Sequence, residues 1–134
     1  MKKFAVLFTS IAVLFTSMVF CAELPIPFAK IKEHAMKSNK DKDGDYVLWS
    51  DINNGGKKEI FIIGLLKPNT DKEQIGIGNN LNEHLRVIVY RPDSNEYVMY
   101  HVFGMFSTFQ PLTKEQAIEI AFLYIREMVK RNLL

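Results

Sequence analysis

Between Leu85 and Phe103 the chain reads LRVIVYRPDSNEYVMYHVF, two alternating runs on either side of Pro92-Asp93-Ser94-Asn95. A period of two fits a pleated strand and not a helix. A cluster of proline, aspartate, serine and asparagine reverses the chain. The two runs therefore predict an antiparallel hairpin, closed by Arg91 opposite Glu96 as a charge pair. That register sorts the side chains. Leu85, Val87, Val89, Val98, Tyr100 and Val102 share one face, which reads as the core face. Arg86, Ile88, Tyr90, Tyr97, Met99 and His101 share the other, half apolar and half polar.

A second hairpin is predicted from Tyr46–Ile52 and Lys57–Leu66, around Asn53-Asn54-Gly55-Gly56. Asn-Gly supplies the positive φ angles of a tight type I′ turn. Centred there, the register sets Asp51 against Lys58, Trp49 against Ile60, Leu48 against Phe61 and Val47 against Ile62. The second run, EIFIIGLL, is apolar on both faces and reads as a central strand covered on both sides. Gly64 within it marks a bulge or a close backbone approach. Lys67 to His84, broken by Pro68, Gly76, Gly78 and Asn79-Asn80, reads as a long connection.

Helices are expected at both ends. After the extended Leu24-Pro25-Ile26-Pro27, apolar residues at Phe28, Ile31 and Ala35 predict a short amphipathic helix over Phe28–Lys37. Phe103–Leu112 reads as an aromatic-rich crossing. Thr113-Lys114-Glu115-Gln116 then spells a capping box. The helix it opens runs to about Arg131, with Ile118, Ala121, Phe122, Ile125, Met128 and Val129 as its stripe. The expected fold is α+β: a four-stranded antiparallel sheet of two hairpins, with both helices on one face, in the order α-β-β-β-β-α.

Residues 1–22 read as a secretory signal peptide and residues 23–134 as a single α+β domain. Lys2-Lys3 is a short basic start of bacterial style, Phe4 to Phe20 carries no charge, and Cys21-Ala22 precedes the first acid, Glu23. A lipid on Cys21 and an uncut anchor are competing readings. Lys2 and Lys3 are two of 17 basic residues, so cleavage leaves the 15 acidic ones matched one for one. A neutral chain lacks the electrostatic footprint of a nucleic-acid binder. With Cys21 as its only cysteine, the chain can form no internal disulfide and must rely on its core.

Recognisable chemistry is sparse. Asp51-Ile-Asn53-Asn-Gly55-Gly56 resembles the calcium loops of dockerin and FG-GAP repeats. It departs from them at Gly55, which offers no side-chain oxygen, and at Ile62, where a bidentate glutamate would close the shell. Asp41-Lys-Asp43-Gly-Asp45 has its glycine too early. Both read as turn and linker. His34, His84 and His101 lie far apart in sequence without paired spacing, and read as solvated or lightly hydrogen-bonded. Gly76-Ile-Gly78 lacks the helix and lysine of a phosphate loop. Glu83-His84 has no placed nucleophile, and Ser50, Ser94 and Ser107 are explained by strand or turn contexts.

A surface remains. Arg86, Tyr90, Tyr97, Met99 and His101 share a sheet face, Phe106 and Phe109 follow, and these are types enriched in interface cores. They are the candidate binding residues. The expected function is that of a small exported bacterial protein, periplasmic or secreted, that binds another protein in the manner of an inhibitor or immunity protein, or associates with itself. An accessory subunit or lipoprotein of an envelope or secretion assembly, and a minor hydrolase, are the alternatives. No cofactor, metal, catalytic residue or nucleic acid is expected, and a membrane only if Cys21 is lipidated or the apolar segment stays uncut.

Overall fold

The computed structural model describes residues 23–38, 46–54 and 57–134. The signal segment, the acidic linker at Asp41–Asp45 and the Gly55-Gly56 pair of the calcium-like stretch lie outside the described residues. Among the described residues two helices flank six strands: α1 (Ile26–Ser38), β1 (Tyr46–Asn54), β2 (Lys57–Leu66), β3 (Gln74–Leu81), β4 (His84–Arg91), β5 (Glu96–Phe103), β6 (Phe106–Leu112) and α2 (Lys114–Lys130). The strands form one antiparallel meander in the order β1-β2-β3-β4-β5-β6. The α+β class and the terminal helices follow expectation; the sheet has six strands rather than four.

Both additional strands lie in segments that read as connections. β3 occupies most of the expected 67–84 loop, where Gly76, Gly78 and Asn79-Asn80 mask a strand built on Ile75 and Ile77. Gly76-Ile-Gly78 is therefore ladder, not flexible loop. Asn82 and Glu83 both have positive φ (51° and 68°) and join the paired Leu81 and His84, as a type I′ turn requires. β6 replaces the expected crossing. Gly104 (φ 56°) and Met105 join the paired Phe103 and Phe106, with positive φ at the first turn residue alone, the type II′ pattern.

The β4–β5 register is the one expected, from Arg91 opposite Glu96 to Arg86 opposite His101. The β1–β2 register is not. Asn54 pairs with Lys57 and Asn53 with Lys58, and a bulge then sets Asp51 against Phe61, Trp49 against Ile63 and Leu48 against Gly64. Ile52 alone spans Glu59 and Ile60, so β2 carries the extra residue.

The covered face is also the reverse of expectation. The helices pack on Phe61, Ile63, Leu65, Ile75, Ile77, Ile88, Tyr90 and Tyr97, against Phe28, Ile31 and Ala35 of α1 and Ala117, Ala121 and Met128 of α2. Leu85, Val87, Val89, Val98, Tyr100 and Val102, read as the core face, lie on the opposite side. Side-chain volume explains the choice. Along β2 and β3 one face carries Phe61, Ile63, Leu65, Ile75 and Ile77, while the other carries Ile62, Gly64, Gly76 and Gly78. Only the first offers continuous bulk for two helices to bury.

Polar groups fasten the helices to the sheet. In α1, Pro27 sits in the first turn, where its missing N–H costs nothing. Buried Glu73 accepts from Lys32 Nζ of α1 at 2.9 Å and from the Asn69 N–H at 2.7 Å. The capping box of α2 is formed: the Gln116 N–H donates to Thr113 Oγ1 at 3.2 Å, and the Thr113 N–H to Gln116 Oε1 at 3.0 Å. At the other end, the N–H groups of Asn132 and Leu133 return to Val129 and Met128 with Asn132 at φ 58°, a Schellman closure. Arg131 then reaches Glu59 Oε2 at 3.1 Å and lies 4.7 Å from the Phe61 ring centre. The expected stripe of α2 is rotated, with Ala117 buried and Phe122 and Val129 exposed.

Candidate binding surface

The predicted binding residues divide into three groups. Tyr90 and Tyr97 are buried core residues, a correction to their reading as surface. Their rings stack at 4.7 Å, and Phe28 of α1 covers them at 5.3 and 5.8 Å. Met99 packs at the edge of the same cluster. The Tyr97 hydroxyl is buried without a hydrogen-bond partner. Burial, with Tyr90 beside it, pushes Tyr97 up to about 12. Tyr90 is likewise raised by burial, and its hydroxyl donates to Asn95 Oδ1 at 3.4 Å.

Arg86 and His101 stand opposite one another on β4 and β5. Arg86 is exposed and His101 half-buried. His101 meets His84, whose Nδ1 lies 3.4 Å from its Nε2, although the two were read as unrelated. His84 in turn stacks on Phe103 at 3.9 Å with 16° between the rings.

Phe106 and Phe109 form the third group. β6 is a sheet margin, paired only with β5, and the turn at Gly104-Met105 carries the hairpin outward. Met105 is fully exposed, Phe106 77%, Phe109 68% and Phe103 48%. Phe106 faces the same side as His101, whereas Phe109 pairs with Tyr100 on the other, 6.0 Å between ring centres. The tip is thus apolar on both sides. From Phe103 to Leu112 it holds no charged residue. The sequence pointed to Phe106 and Phe109 but missed Met105, because the turn itself was not recognised.

Other concavities are shallow. One of about 330 Å³ lies between the β4–β5 turn and the start of α2, with Arg91 held by Tyr100 (Nη2 to Oη, 2.8 Å) and by Glu96 at 3.7 Å. Another of about 240 Å³ is floored by Gly64 and Gly76 and walled by Ile62, Leu66, Val87 and Val89. Among the described residues no three metal-ligating side chains converge, and no helix is long and apolar enough to cross a membrane. Compared with family models, curated proteins and solved structures, the chain finds no match.

Proposed function

We infer that the chain is a small exported protein of bacterial type that acts by binding another protein, in the manner of an inhibitor or immunity protein, with the β5–β6 hairpin as its contact. The carrying observation is the exposure of Phe103 at the end of β5, Met105 in the two-residue turn, and Phe106 and Phe109 on the margin strand β6. Large apolar side chains gathered on a rigid tip bury much area for little ordering entropy, the property of interface anchors. A charge-free tip also lacks the basic residues that hold an amphipathic segment on anionic lipid, which favours a protein partner over a bilayer. Export is supported by the Lys2-Lys3 start and the apolar run after it.

A photo-crosslinking residue in place of Met105, compared with one at exposed Glu119 on α2, tests this reading in envelope and culture extracts. One discrete adduct from position 105 is expected, lost when Phe106→Ser and Phe109→Ser are combined. Equal labelling from both positions, or a tip that sediments with lipid vesicles and yields no protein adduct, would refute it.

A further inference from the structure

His84 opens β4 and His101 lies within β5. The register sets His84 against Phe103 and Arg86 against His101, so the two imidazoles are diagonal neighbours on one face. Their nitrogens, Nδ1 of His84 and Nε2 of His101, are 3.4 Å apart, with 28° between the ring planes. That is long for a hydrogen bond, whose optimum is about 2.9–3.0 Å. It matches the edge of a tetrahedron with corners about 2.0–2.1 Å from its centre, roughly 3.3–3.4 Å, which is how imidazole nitrogens stand around zinc.

We propose that His84 and His101 form a two-point site for a borderline divalent transition-metal ion, zinc or copper, bound through His84 Nδ1 and His101 Nε2 with water completing the shell. Both side chains come from paired strands. The Asn82-Glu83 turn fixes where β4 begins, and the Phe103 ring holds the His84 plane. Little freedom is left to lose on binding, which is what pre-organisation contributes. Both rings are half-buried, so an ion can reach them from solvent.

The charges around the pair set its character. Arg86 stands across from His101 on β4, Glu83 precedes His84 in the turn, and Tyr124 of α2 lies within electrostatic reach of Arg86. With only two protein ligands the site is exchangeable rather than closed and structural. Imidazole ligands select copper over zinc and both over magnesium or calcium, which prefer oxygen. Both nitrogens must present lone pairs to the ion, so binding competes with protons and weakens in acid.

Calorimetric titration of the chain, carrying no histidine tag, with CuCl2, ZnCl2 and MgCl2 at pH 7.5 and 5.5 tests the site. One saturable equivalent is expected at pH 7.5, tighter for copper, absent for magnesium and weakened at pH 5.5. Because each ligand holds the ion near the other, His84→Ala or His101→Ala should weaken it at least about tenfold, and His34→Ala on α1 should not. No saturable equivalent, or one that survives both substitutions, overturns the proposal. Should an alanine variant lose its fold, zinc-induced changes in the imidazole ¹⁵N shifts of the native chain decide. Movement at His84 and His101 upholds the site; movement only at His34, or at none, overturns it.

Discussion

Two aromatic clusters are built on the same antiparallel ladder, and only one of them is covered. Phe28, Tyr90 and Tyr97 interlock beneath α1, each ring within 6 Å of another. Phe103, Phe106 and Phe109, with Met105, sit at the far end of β5 and on β6, outside the core that the helices cover. Residue type does not separate the clusters. Position relative to the helices does: the first lies under α1, the second projects past its cover. Stability should therefore depend on the first, and contact with other molecules on the second.

The largest expected effect tests the covered cluster. Phe28→Ala should cost about 3–5 kcal/mol in urea unfolding, because a fully buried ring leaves a cavity between α1 and two tyrosines. Loss below about 1 kcal/mol would mean that the cluster does not hold α1.

Next comes the response to base. Burial penalises the ionised form of Tyr97 and raises it on folding to about 12, so stability is level below its unfolded value near 10 and falls as pH rises from there toward 12. Two units correspond to roughly 2–3 kcal/mol at most. Tyr97→Phe should flatten this dependence, and at neutral pH should be neutral or slightly stabilising, because it deletes a buried hydroxyl without a partner. A variant with an unchanged base limb would assign the loss to other groups.

The smallest expected effect concerns the bare cluster. Phe106→Ser with Phe109→Ser should move unfolding stability by no more than about 0.5 kcal/mol while abolishing the crosslink from position 105. A large stability loss would make the tip a structural element and erase the contrast.

Local signals in the sequence were readable where a few residues decide the outcome. Thr113 and Gln116 specify the start of α2 whatever lies around them, and Arg91 with Glu96 settles the β4–β5 register. Choosing the covered face is a different problem, since each side of β4–β5 offers apolar rows. The choice depends on β3, where Ile75 and Ile77 oppose Gly76 and Gly78, and those glycines are what made β3 read as a loop. The histidine pair was closer to hand. The Arg91–Glu96 register already places His84 across from Phe103 and a diagonal step from His101, yet spacing along the chain hides a meeting across it.

Pro111 stands within β6, opposite Val98, on the outermost strand of the sheet. Proline has no amide hydrogen to offer, and at such a margin it denies an incoming segment one rung of backbone pairing. A chain that displays Phe106 and Phe109 this openly invites stacking into fibres. Pro111 interrupts that route, leaving the rings bare at the margin without offering a neighbouring copy an unbroken backbone to extend.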